Sequence, residues 1–93
     1  MKEDQLTLTV RAREKTLYEG QVKSVSALND KGKFDVLGRH ANFITLIKGK
    51  MTIRSILGKI QEIDVDGGVM RVLGNKINVF LGIRRNLQEL KAT

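Results

Sequence analysis

The stretch VDGGVMRVLGNKINVFL, residues 65–81, carries two apolar runs joined by Gly74-Asn75-Lys76. Val69, Met70, Val72 and Leu73 enter the connection, and Ile77, Val79 and Leu81 leave it at every second position. Side chains at a period of two stand on alternate faces of an extended strand. Glycine and asparagine supply the backbone freedom that a tight connection demands. The stretch is a β-hairpin, and its pattern spreads outward in both directions.

Toward the N-terminus, Ile63 and Val65 alternate with Glu62, Asp64 and Asp66, and Met51 and Ile53 alternate with Thr52 and Arg54. Leu6, Leu8, Val10 and Ala12 alternate with Thr7, Thr9 and Arg11. Val22, Val25 and Leu28 keep apolar character at irregular spacing, which points to a bulge. Phe34 and Val36 precede a glycine-rich loop holding His40, and Phe43, Ile44, Leu46 and Ile47 follow it. Turn signals recur at Gly20, Asn29-Asp30-Lys31-Gly32, Gly38, Gly49, Gly58, Gly67-Gly68, Gly74 and Gly82. Short strands between such turns predict an all-β domain, an antiparallel sandwich or barrel. Only Arg84 to Ala92 has helical spacing, with Leu87 and Leu90 three apart, and so short a helix is marginal alone.

The 93 residues fit one domain. With no cysteine there is no disulfide and no thiolate metal site. No apolar run approaches the ~20 residues of a membrane-spanning helix, and Met1 to Gln5 resembles no signal peptide, so a cytosolic location is expected. The net charge of +7 is uneven. Residues 1–30 balance five basic groups against five acidic ones, residues 31–60 carry seven against one, and residues 61–93 five against four. A basic middle third suits nucleic acid, anionic lipid or an acidic protein surface, or simply keeps the chain soluble.

Little here supports catalysis. His40 has no cysteine partner, the serines (Ser24, Ser26, Ser55) lie within strand patterns, and no second histidine is available for a metal. Asp64 and Asp66 share a strand face, which suits a solvated strand end better than a cation site. Gly67-Gly68 opens no helix and lacks the lysine and hydroxyl of a phosphate cradle, leaving close backbone approach or a bend as its role. Nucleic-acid binding calls for exposed aromatics among the basic groups. The chain offers Tyr18, Phe34, Phe43 and Phe80, and the three phenylalanines fall in apolar runs expected in the core. A small basic β-domain holding RNA or DNA by charge alone is the alternative reading.

Three stretches in order, EKTLYEGQVKSV (14–25), GKFDVLGRHANFITLIKGK (32–50) and VDGGVMRVLGNKINVFL (65–81), resemble the epsilon subunit of F-type ATP synthases, called delta in mitochondria. The resemblance spans about residues 6–82. It implies an antiparallel sandwich of about ten short strands over residues 1–83, followed by a short helical tail at 84–93. It implies a non-catalytic rotor subunit of the central stalk that couples rotation of the c-ring through gamma to ATP synthesis. No cofactor is expected, and attachment to the cytoplasmic face of the membrane is indirect, through the complex. Carried onto this chain, gamma contact falls to Ala12, His40, Ala41 and Thr45. The c-ring contact falls to Asn29, Asp30, Lys31, Gly32 and Lys33, with Gly20, Gly67, Gly68 and Gly74 as structural turns.

The chain departs from the family pattern in several places. It has no proline, whereas relatives place several around the histidine loop, where Gly38, Asn42 and Gly49-Lys50 stand here. Proline fixes its backbone angle, so this loop needs other constraints. Arg39 replaces the glycine before the histidine, and Lys33 replaces an acidic residue at the ring-facing turn. Typical bacterial members continue into a helical hairpin, so a chain ending at Thr93 is expected neither to bind ATP nor to inhibit hydrolysis as that hairpin does.

Overall fold

A computed structural model describes residues 5–38 and 42–82. Seven strands follow in order: β1 (Leu6–Ala12), β2 (Lys15–Asn29), β3 (Gly32–Val36), β4 (Phe43–Ser55), β5 (Ile60–Asp64), β6 (Gly68–Leu73) and β7 (Lys76–Leu81). The expected helical tail at 84–93 lies outside the described residues.

The strand order is β3-β2-β1-β7-β6-β4-β5, and β2 also pairs with β4. This extra pairing folds the sheet onto itself. The first half of β2 pairs with β1 from Leu6↔Val22 to Ala12↔Lys15. Its second half pairs with β3 and with β4. Likewise β4 pairs with β6 over Phe43–Ile47 and with β5 over Lys50–Arg54. Two long strands therefore belong to both layers of a sandwich. One layer contains β1, β7, β6 and the first halves of β2 and β4, and the other contains β3, β5 and the second halves. Seven continuous strands thus do the work of nine segments, against the ten expected from the resemblance.

The bends sit where the backbone permits them. Gly49, at φ +69°, lies between the two halves of β4. In β2 the register shifts between Val22 and Ser24, at the irregular spacing noted in the sequence. The pair β1–β7 is parallel, the exception to the antiparallel rule. Strands far apart in the chain are free of the hairpin connection that forces antiparallel pairing.

The alternation directs the core. Leu6, Leu8 and Val10 of β1, Val22, Val25 and Ala27 of β2, and Met51 and Ile53 of β4 are buried, as are Met70, Val72, Ile77 and Val79 of the β6–β7 hairpin. Tyr18, Phe34 and Phe43 pack against this cluster. Phe80, expected in the core, instead points outward, because Ile77 and Val79 take the inward positions of β7. The hairpin turn is the two-residue loop Gly74-Asn75, with Gly74 at φ +62°. Positive φ at the first loop residue is the requirement of a type II′ connection, and glycine meets it without strain.

Gly68 is buried at the start of β6, where an added Cβ would stand 2.7 Å from Leu81 Cδ2 and 3.0 Å from the Val65 carbonyl oxygen. Close backbone approach is therefore its role. Gly20 corrects the expectation of a turn: it lies inside β2 opposite Leu8. The reversal before it is made by the two residues between β1 and β2, with Arg13 at φ +58°.

Candidate functional site

The turn between β2 and β3 holds the five residues assigned to ring contact. Asn29 ends β2 and Gly32 opens β3 at φ +119°. The Lys31 amide donates to Asn29 Oδ1 at 2.9 Å, an Asx-type closure that shapes the turn locally. Lys48 Nζ lies 3.2 Å from Asp30 Oδ1, with both side chains mostly in water, so the pair contributes little to stability. Lys31 and Lys33 remain exposed beside it. The turn therefore presents a mixed but mainly cationic tip.

Of the residues assigned to gamma contact, Thr45 adjoins this turn: Asn29 Nδ2 donates to Thr45 Oγ1 at 3.2 Å. Ala12 is elsewhere. It pairs with Leu81 at the end of β1, and β7 and β6 separate β1 from β4. Three strand spacings put it roughly 14 Å from the line of β4. His40 and Ala41 lie outside the described residues. The structure thus joins Thr45 to the ring-assigned turn and does not gather Ala12 and Thr45 onto one edge.

Sequence reasoning missed the outer face of the larger layer. Ladder partners share a face, so Leu46, Val69, Phe80 and Arg11 form one row across β4, β6, β7 and β1. Ile44 stands in the next row, opposite Arg71. Ile44 is 69% exposed and Leu46 62%. Apolar side chains gathered on a solvent face mark a contact surface. The signal was present in the sequence as apolar residues of both parities in 43–47, a pattern that belongs to strands covered on both faces.

Asn42, which stands where relatives place a proline, supplies a constraint whose partner the sequence did not show. The Gly74 amide donates to Asn42 Oδ1 at 2.6 Å, tying the residue just before β4 to the β6–β7 turn. Proline has no side-chain acceptor for that bond, so at this position the asparagine holds its segment through a contact instead of a fixed φ.

The acidic pair on β5 and its turn is structural. Asp66 Oδ1 accepts the Gly49 amide at 3.0 Å, and Asp64 Oδ1 accepts the Asp66 amide at 3.2 Å. Both carboxylates therefore brace the bend in β4 and the turn into β6. For nucleic acid the arrangement is poor: Phe34 and Phe43 pack edge to face, with ring centroids 6.0 Å apart, half-buried against the core. They offer bases no open platform.

Residues 5–82 match the family described as "ATP synthase, Delta/Epsilon chain, beta-sandwich domain". The ATP synthase epsilon chain of Leptospira borgpetersenii is 35% identical over 75 residues, covering 80% of this chain and 58% of the relative. That of Desulfatibacillum aliphaticivorans is 31% identical over 75 residues, covering 80% and 53%. The chain therefore spans somewhat over half the length of these curated relatives. In structure, a chain of the Euglena gracilis mitochondrial ATP synthase superposes with a TM-score of 0.78 at 16% identity, covering 95% of this chain and 64% of that one. A chain from the central stalk and c-ring of the Tetrahymena thermophila enzyme gives 0.66 at 14% identity, covering 81% and 61%. At such identities the likeness is one of fold.

Proposed function

Because the chain belongs to the delta/epsilon β-sandwich family of ATP synthases, we propose that it is a non-catalytic subunit of the central stalk. In this role it grips gamma and rests on the c-ring, so that ring rotation reaches the catalytic head and drives ATP synthesis. The observation that carries the reading is the family match, which runs unbroken over residues 5–82. The contact required is adhesive: an apolar patch within a polar rim, able to bear load without chemistry. Ile44, Leu46, Val69 and Phe80 supply such a patch, and Arg11 and Arg71 stand in its rim.

The turn Asn29–Lys33 is the proposed ring contact, and Thr45, with Ala12, His40 and Ala41, the proposed gamma contact. The mainly cationic tip of that turn favours a ring whose facing loops carry acidic groups. Attachment to the membrane is peripheral and indirect, on the cytoplasmic side, as in a bacterial complex.

Pull-down of host lysate by the tagged chain tests this. Recovery of gamma and c subunits, persisting as salt rises, is expected of an interface with an apolar centre. Recovery of nucleic acid that vanishes steeply with salt would favour the charge-based alternative. Assembly with neither subunit would end the stalk reading.

A further inference from the structure

The outward edge of β4 at Ile44–Leu46 is open among the described residues, since this half of the strand pairs with β6 alone. Gly67 N donates to the Ile47 carbonyl, which turns the polar backbone groups of Ile47 toward β6. Alternation along the strand turns those of Ile44 and Leu46 the opposite way. The Leu46 carbonyl accepts the hydroxyl of its own neighbour Thr45 at 3.3 Å, a local side-chain substitute for a strand partner. An edge with unmatched donors and acceptors is a template for another strand, and proteins ordinarily blunt such edges with charge or proline. Here Ile44 and Leu46 carry no charge and both stand exposed.

Open space lies beside this edge, with the Asn29 side chain reaching across it to Thr45 Oγ1. β2 and β4 remain paired as far as Leu28↔Lys48 and then diverge, leaving a cleft between the Asn29–Lys31 turn and Ile44–Leu46. The charges around it choose the occupant. Lys31 and Lys48 border the edge, against Asp30, which is already beside Lys48. A second copy of the chain, itself at +7, would bring like charges together.

We propose that this edge accepts, by strand addition, an extended segment of a neighbouring subunit in which apolar and acidic residues alternate. Backbone bonds to Ile44 and Leu46 supply affinity, apolar side chains of the segment continue the exposed Ile44–Leu46 surface, and its carboxylates meet the flanking cations. The proposal rests on the stalk reading only for placing the segment in a neighbouring subunit.

The test uses the whole isotope-labelled chain with three blocked heptapeptides. One alternates valine with glutamate, the second replaces glutamate with lysine, and the third repeats the first with N-methylated alternate amides. The acidic peptide should slow hydrogen exchange at the Ile44 and Leu46 amides by about tenfold or more, and the other two should not. The doubly substituted chain Ile44→Glu with Leu46→Glu, both at exposed positions, should keep its unfolding midpoint and lose the effect, because like charges then face the acidic peptide. No slowing, equal slowing by the lysine peptide, or amides already protected in the free chain would overturn the proposal. Protection in the free chain would assign the edge to the chain's own segments or to a second copy. The stalk reading stands or falls separately, on recovery of gamma and c subunits by the unaltered chain.

Discussion

The two layers obey one rule inward and different rules outward. Inside, Leu8 and Met70 of the larger layer face Met51 and Ile53 of the smaller across a single aliphatic core. Outside, the smaller layer presents Asp35, Ser26, Thr52 and Glu62 in one row across β3, β2, β4 and β5. The larger presents Leu46, Val69 and Phe80 ending at Arg11. A fold needs the inner pattern. Nothing in folding needs the apolar outer row, which costs solubility, and that is why the proposed gamma contact is placed there.

The largest expected effect tests the shared inner rule. Leu8→Ala and Ile53→Ala, one in each layer, should each destabilise by about 2–5 kcal/mol. Urea midpoints should fall with the slope unchanged, and a changed slope in either variant would mean that the layers do not share one cooperative core. Gly68→Ala comes next, at about 1–3 kcal/mol, because the new methyl meets backbone oxygen as well as Leu81. Gly20→Ala should do the reverse. Its nearest neighbour is Tyr18 Cε1 at 4.0 Å, and stiffening the unfolded chain should raise stability by about 0.4–1 kcal/mol.

Asn42→Ala should cost about 0.5–1.5 kcal/mol, the net worth of its bond to the Gly74 amide. Amide exchange at Gly74 should quicken accordingly. The smallest effect on stability should accompany the largest on binding. Leu46→Ser should leave the unfolding midpoint within about 0.5 kcal/mol of the parent, yet weaken recovery of gamma. Its counterpart Thr52→Val on the smaller layer should change neither. Equal loss of recovery from both substitutions would erase the distinction between the faces.

The inner rule was legible in the sequence because period-two alternation in β1, β5 and β7 needs no information beyond the segment itself. The close packing at Gly68 was legible from the glycine pair itself, which opens no helix and so leaves backbone approach as its role. The dual membership of β2 and β4 was not: a strand that bends at Gly49 reads as two short strands, with nothing local to show that the backbone continues from one layer into the other. Gly20 looked like a turn because glycine marks turns more often than strand interiors. Phe80 looked buried because hydropathy reports a preference for leaving water, not which partner covers the ring. Contacts such as Asn42 to Gly74 join residues thirty-two apart, and no local pattern signals them. Thr45 was assigned to contact by resemblance, and only the pairing order reveals that Ala12 stands three strands away.

The bends in β2 and β4 have a mechanical side. Two flat plies held only by side-chain dispersion slide past one another under shear, since each contact is weak and easily exchanged for the next. Here the plies are stitched: at two places the backbone passes from one to the other. The ladder runs in a closed circuit from β2 through β1, β7, β6 and β4 back to β2. Shear between the layers therefore loads covalent bonds and cooperative hydrogen bonds before it loads the core. A load at the Asn29–Lys33 turn passes along the continuous backbone of β2 into the larger layer, with little of it lost to slip.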